Sequence, residues 1–431
     1  MYNFLEELQW RGLIQDSTPD LEEQLSKEIT TGYIGFDPTA DSLHIGSLIP
    51  ILILMHFRKA GHKPIALVGG ATGMIGDPTG KSDERNLLDE ETLETNVQGI
   101  KKVLNRFLDF DAQDENAPVL VNNYDWMKDF SFIDFVRDVG KRITVNYMMS
   151  KESVKKRLSG EVGAGMSFTE FTYQLIQGYD FYYLYHKLNC KLQMGGSDQW
   201  GNMTTGTELI RRMSDGETEA FAMTCPLVTK ADGTKFGKSE GGNIWLDAEK
   251  TSVYNFYQFW LNVADEDAER FIKFYTFFEK EVIENLIIEH QAEPHKRILQ
   301  NALADSVTTL VHGEEELNLA KKASQILFGK STSLDLKSLN EQTFLDVFEG
   351  VSQQEVSQED IFKMELLDVL SEGSGFLKSK GEARRALKEN SISINKDKID
   401  ENYQLTVKDL IADKYLLLQR GKKNYHIVIV K

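Results

Sequence analysis

The chain has 431 residues, a formal net charge of −18, and 41% hydrophobic with 10% aromatic residues. That length exceeds one ordinary core and calls for two or three domains, while the composition excludes a disordered chain. The two cysteines, Cys190 and Cys225, make no disulfide framework and match no zinc spacing, which points to a reducing compartment. The acidic start, Met1 to Glu7, lacks the order of a signal peptide, and the longest apolar stretch, Leu48 to Met55, is too short to span a bilayer. A soluble, cytoplasmic protein is expected.

In chain order, Ile29 to Asp37 alternates with period two, Ile34 and Phe36 facing one way and Thr31, Tyr33, Gly35 and Asp37 the other. Asp41 to Ser47 is a polar turn before the apolar run from Leu48, so a helix starts there with free N–H groups and His44 at its mouth. His44 in that position donates to a phosphate oxygen, and Gly46 leaves room for a flat group. Standing alone, the turn reads as a capping histidine. Pro50 is expected to strain or bend the helix.

Ile65 to Gly70 is a buried parallel strand by composition. The glycine-rich stretch Gly70 to Ser82 fails the P-loop spacing, because Gly76 leaves the loop one residue short before Gly80. It still offers Asp77, Lys81 and Arg85, with Asp77 suited to an ammonium group and Lys81 to a phosphate, or simply solvated charges. Further strands are expected at Val119 to Asn122, Lys191 to Met194 and Cys225 to Thr229, with helical stretches between them. Such βα units imply an open parallel sheet with ligands beyond the strand C-terminal ends.

Ser167 to Glu170 is a capping box, predicting a helix from about Phe168. Tyr173, Gln177 and Asp180 then share one face, as pocket lining or as a polar stripe in water; spacing does not choose. Gly195-Gly196-Ser197-Asp198-Gln199 follows a strand and places Asp198 and Gln199 where a ribose or carboxylate is bound. In Asp232 to Ser239, an Asp-Gly turn and spaced glycines predict a mobile loop on which Lys235 and Lys238 either close on a pyrophosphate or stay solvated, as two loop lysines usually do.

From about 251 to 313 the pattern is helical and aromatic-rich. Residues 326–358 read as a linker with little core, and an α/β pattern resumes beyond it, with a basic helix from Gly381 to Lys388 and strands at Ile392 to Ile394 and Tyr425 to Val430. From Phe376 to Lys431 there are 13 Lys and Arg against 7 Asp and Glu, a net of +6 on an otherwise acidic chain. That tail reads as an appended polyanion binder or as a solvated basic face.

Taken together, the segment Gly32 to Ala40, His44-Ile45-Gly46, the Tyr173/Gln177/Asp180 helix, Gln193 to Trp200, the Lys235–Ser239 loop and the basic tail resemble the class I aminoacyl-tRNA synthetases, specifically the bacterial tyrosyl type. The resemblance runs nearly the length of the chain. One departure is Ser47, where the class signature commonly ends in His or Asn.

The resemblance implies a Rossmann-like doubly wound α/β catalytic domain over 1–245, an α-helical tRNA-binding domain over 246–325, the linker, and a ribosomal-protein-type RNA-binding domain over 359–431. It implies that L-tyrosine is activated by ATP with Mg2+ and no tightly bound cofactor, then passed to tRNA(Tyr) by a homodimer with no membrane association. Carried over residue by residue, Tyr33 and Asp180 bind the phenol, Asp77, Tyr173 and Gln177 the ammonium, and Gln199 the carboxylate. Asp37, Gly46, Ser47, Gly196 and Asp198 hold the nucleotide, and Lys238 also contacts ATP. His44, Lys81, Arg85, Lys235 and Lys238 stabilise the phosphates. Candidate tRNA contacts are Arg211, Arg212, Arg384, Arg385 and Lys388. Rival readings are a tryptophanyl or other nucleotidyl-transferring enzyme, and a non-catalytic RNA-binding protein.

Overall fold

A computed structural model describes residues 2–79, 88–161, 165–214, 218–231, 233, 236–239, 242–328, 332–421 and 424–431. The chain forms two compact units, Met1–Asp247 with Ala264–Leu299, and Ala248–Val263 with Gln300–Lys431.

The first unit is built on a six-stranded sheet. Its strands are β1 (Asp16–Ser17), β2 (Thr31–Phe36), β3 (Lys63–Val68), β4 (Val119–Asn122), β5 (Cys190–Gly196) and β6 (Phe221–Cys225), in the order β1-β6-β5-β2-β3-β4. All neighbours are parallel except the edge pair β1–β6. Tyr33 on β2 stands beside Ile65 of β3 and Gln193 of β5. The expected alternation of β2 does not appear as an inside and an outside: five of its six residues are buried, as in a strand covered on both faces. The strand expected at Cys225 to Thr229 instead ends at Cys225, because Pro226 has no N–H to continue the ladder.

The helices of this unit include α1 (Leu48–Lys59), α2 (Glu90–Leu104), α3 (Phe168–Leu188) and α4 (Trp200–Met213). Pro50 lies in the first turn of α1, where an N–H is dispensable, so the proline removes no interior hydrogen bond. The predicted capping box of α3 is formed, Ser167 Oγ accepting from Glu170 N and Glu170 Oε2 from Ser167 N. Glu170 Oε2 also pairs with Arg157 at 3.0 Å, both side chains buried.

The second unit contains a five-stranded sheet of β7 (Ser352–Val356), β8 (Ile392–Ile394), β9 (Asp397–Lys398), β10 (Tyr415–Arg420) and β11 (Asn424–Val430), ordered β9-β8-β10-β11-β7. Alternation along β10 and β11 divides its core. Leu416, Leu418, Val428 and Val430 pack with Ala383, Ala386 and Leu387 of helix α8 (Lys380–Lys388). Tyr415, Leu417 and Ile427 pack with Tyr254 of α5 (Val253–Leu261), Ala323 and Ile326 of α6 (Glu314–Phe328), and Phe344 and Val347 of α7 (Glu341–Val347).

Two expectations about organisation change. The stretch 326–358 is not a core-poor linker, since Leu336, Leu339, Phe344, Val347 and Phe348 are buried in that second cluster. The helical region expected as one domain over 246–325 is divided, helices Asp265–Tyr275 and Lys280–Ala292 belonging to the first unit.

Candidate active site

A cleft of about 270 Å3 opens beyond the C-terminal ends of β2, β3 and β5. Its lining includes Tyr33, Asp37, Asp77, Tyr173, Gln177, Asp180, Gly196 and Gln199, eight of the residues singled out in sequence. The face of α3 left open by spacing is thereby settled: Tyr173, Gln177 and Asp180 turn toward the cleft, while Leu175 packs with Val139, Ile143 and Leu209.

The floor is a hydrogen-bonded network. Asp180 is 2% exposed; Asn123 Nδ2 donates to its Oδ2 at 2.9 Å and Trp126 Nε1 to its Oδ1 at 2.9 Å. Burial nevertheless pushes this carboxyl up to about 7, and the Asp37 charge pushes the same way against the two donors. Asn123 also donates to Thr72 Oγ1 and accepts from Ala71 N. Thr72 in turn donates to Asp37 Oδ1 at 2.7 Å, and the Tyr173 hydroxyl donates to Asp37 Oδ2 at 2.7 Å. Gly69 is obligatory here: a Cβ would lie 2.2 Å from Asp37 Oδ1. Burial raises the phenol pKa of both Tyr33 and Tyr173 well above the usual value, so both remain hydroxyls.

Three buried polar atoms lining the cleft have no protein partner: Tyr33 Oη, Gln177 Oε1 and Gln193 Oε1. A native interior seldom tolerates such groups without a ligand or water to satisfy them. On the opposite wall Gln199 Nε2 donates to Asp77 Oδ2 at 2.6 Å, and Asn202 Nδ2 donates to Gln199 Oε1 at 3.1 Å. The pair assigned to ammonium and carboxylate is therefore joined to itself.

The His44 turn lies at the start of α1. His44 Nδ1 accepts from Gly46 N at 3.0 Å, and a Cβ on Gly46 would lie 2.7 Å from His44 Cε1. The Ser47 N–H donates to His44 O at 2.8 Å. Main-chain bonds run from Ile45 N to Ile244 O at 2.9 Å and from Leu246 N to Leu43 O at 2.8 Å. Gly237, with φ +90°, packs so closely that a Cβ would lie 3.2 Å from Ile45 Cγ1, and its carbonyl accepts from Ile244 N. Phe236 beside it packs edge-on to Phe271 at 4.5 Å. The two motifs remote in sequence are thus neighbours in space.

Lys81, Arg85 and Lys235 lie outside the described residues, as does the side chain of Lys238. Asp198 is exposed on the turn after β5, where a Cβ on Gly196 would lie 2.6 Å from its Oδ1. Arg211 and Arg212 both pair with Glu208 one turn earlier on α4. Arg384, Arg385 and Lys388 are exposed on α8 and pair with no acidic group among the described residues.

Sequence reading missed Thr72, Asn123 and Trp126, which fix Asp37 and Asp180. The available signal was position: Asn123 directly follows β4 and Thr72 follows β3, the ends at which a parallel sheet binds its ligands.

The description "tRNA synthetases class I (W and Y)" matches residues 26–329, and "Tyrosine--tRNA ligase SYY-like C-terminal domain" matches residues 343–428. The chain belongs to the class I tRNA synthetases. This synthetase is 66% identical to the tyrosine–tRNA ligase of Flavobacterium johnsoniae and 60% identical to that of Bacteroides fragilis, each over the whole of both chains. Among solved structures, a C-terminally truncated mitochondrial tyrosyl-tRNA synthetase from Aspergillus nidulans superposes with a TM-score of 0.68 at 30% identity. That match covers 76% of this chain and 95% of the other. The tyrosyl-tRNA synthetase of Archaeoglobus fulgidus, at 18% identity and a TM-score of 0.54, shares the fold.

Proposed function

We propose that this synthetase activates L-tyrosine with ATP, forming tyrosyl-adenylate and pyrophosphate, and then transfers the tyrosyl group to the 3′ end of tRNA(Tyr). The observation that carries the reading is the cleft floor, where the Tyr33 hydroxyl lies without a partner in the same cleft as the buried Asp180 carboxyl. A substrate phenol gives the Tyr33 hydroxyl its missing partner and adds a third donor to the Asp180 carboxylate. A phenyl ring leaves the Tyr33 hydroxyl unpaired, at about 1–3 kcal/mol for an unsatisfied buried group.

Tyr173, Gln177 and Asp77 line the same cleft and receive the ammonium, Gln199 parting from Asp77 to meet the carboxylate. The tyrosine carboxylate attacks the α-phosphorus of ATP and pyrophosphate leaves, so no side chain need become a nucleophile. Positioning and charge stabilisation carry the step. Asp37, Gly46, Ser47, Gly196 and Asp198 border the nucleotide. His44, Lys81, Arg85, Lys235 and Lys238 meet the phosphates, and Mg2+ enters with ATP. In the second step a terminal ribose hydroxyl of the tRNA attacks the acyl carbon and AMP leaves.

The exposed apolar side chains of Phe132, Ile133, Val136, Val145 and Met149 support a homodimer through that face. Exposed Arg384, Arg385 and Lys388 support tRNA binding through α8, with Arg211 and Arg212 as further contacts once freed from Glu208. Cytoplasmic residence accords with two buried, unbridged cysteines. No described helix is long and apolar enough to cross a membrane.

The deciding experiment is exchange of labelled pyrophosphate into ATP, without tRNA, against each of the twenty amino acids. Exchange with tyrosine alone is expected. Exchange with tryptophan would overturn the phenol assignment, and no exchange from folded protein with Mg2+ would overturn the reaction.

A further inference from the structure

Away from the cleft, residues 2–6, the helix Leu21–Lys27 and the turn Ala60 to His62 enclose a groove of about 930 Å3. Glu6, Asp20, Glu22 and Glu23 line it, and no lysine or arginine does. Their neighbours Glu7 and Glu28 are paired, with Arg11 at 2.7 Å and Lys191 at 2.6 Å. The four lining carboxylates make no ion pair among the described residues, and Asp20, at the N-cap of its helix, makes no capping bond. Lys59, next to the lining residue Ala60, places its Nζ 4.4 Å over the Tyr2 ring and pairs with Glu279 at 3.7 Å.

An acidic rim alone attracts any cation. The second observation is at the groove wall. His62 is only 7% exposed, its ring stacked on Phe57 with centroids 4.8 Å apart. His62 Nδ1 accepts from Thr30 N at 3.2 Å, so the neutral ring carries its hydrogen on Nε2. Burial lowers the imidazole pKa, which keeps the ring neutral at physiological pH. Nε2 has no partner among the described residues, and His62 lines the groove. A fixed N–H donor needs an oxygen acceptor, which a bare cation or a simple polyamine lacks. A ligand that satisfies both features carries positive charges and a carbonyl.

We propose that this groove binds a short lysine- or arginine-rich peptide segment, its side-chain cations meeting Glu6, Asp20, Glu22 and Glu23 and a backbone carbonyl accepting from His62 Nε2. The site is separate from the cleft, so it stands whether or not the tyrosine assignment does.

Anisotropy titration of fluorescein-labelled trilysine amide into the full chain at low ionic strength tests it, because screening there is weakest. Saturable single-site binding is expected. E22Q/E23Q should weaken it about tenfold, from two lost charge pairs, and H62F about fivefold, from one lost hydrogen bond. The triple variant E314Q/E315Q/E316Q removes more charge from the first turn of α6 and should bind as the parent does. Equal weakening in that control, or no saturation, overturns the proposal. Spermidine, with three charges and no carbonyl, keeps the test decisive should H62F fail to fold. It should compete at least about fivefold less well than unlabelled N-acetyl-trilysine amide, and equal competition overturns the peptide assignment.

Discussion

The two ends of the cleft are held in different ways. At the floor, both oxygens of Asp180 and both of Asp37 accept side-chain donors from residues on or following β3, β4 and α3. At the His44 turn, main-chain bonds tie Leu43 and Ile45 to Leu246 and Ile244, Gly237 packs close, and the His44 ring lies edge-on to Trp245. Under the proposed function the contrast follows two tasks. Selecting a substrate requires donors and acceptors fixed before it arrives. Charge that develops only during reaction is met, on the same reading, by cations carried on a segment joined through its backbone to the His44 turn.

The largest expected effect concerns the floor. Burial raises the Asp180 carboxyl from 3.8 to about 7, so the folded chain holds this proton to higher pH than the unfolded chain. The stability contributed by that bound proton is complete below the ordinary carboxylate range and is lost as pH rises through about 7. Urea unfolding between pH 4 and 8 should show the parent losing up to about 4 kcal/mol more than D180N. Parallel curves would mean that the floor is not desolvated.

At the other end, K235A or K238A should slow adenylate formation by about 10²–10³-fold while leaving the tyrosine dissociation constant unchanged. Single-turnover kinetics with equilibrium dialysis measures both, and an equal loss of tyrosine affinity would erase the division between the ends. N123A comes next: it strips a donor from Asp180 and Thr72 and should cost about 1–3 kcal/mol in stability. Tyrosine affinity should fall about tenfold by the same count, with ATP affinity unmoved. G237A is the mildest. Its φ of +90° and the 3.2 Å approach to Ile45 predict a cost of about 1 kcal/mol, with slower activation and unchanged tyrosine binding.

Much of this was legible in the chain. Capping chemistry located the start of α3, glycines marked the ends of β3 and β5, and helical spacing aligned Tyr173, Gln177 and Asp180. What escaped depended on register between distant strands. Asn123 reaches Asp180 only because β4 lies next to β3, and no local pattern encodes that adjacency. The pairing of Asp77 with Gln199 is hidden for the same reason. The stretch 326–358 was misjudged because short helices with polar outer faces dilute their buried residues. Leu336, Leu339, Phe344, Val347 and Phe348 are too sparse there to announce a core by composition.

The placing of β2 between β3 and β5 also sets a timetable for birth on the ribosome. Tyr33 finds Ile65 soon after both emerge, but its other neighbour is residue 193. At about 5–20 residues per second, roughly 10–30 s of synthesis separate residues 33 and 193. Through that interval the β5-facing edge of β2 keeps unpaired N–H and C=O groups, and the cleft, which needs Gln177, Asp180 and Gln193, does not yet exist. Cellular tyrosine can therefore stabilise finished chains by mass action, but gives nothing to those still being made.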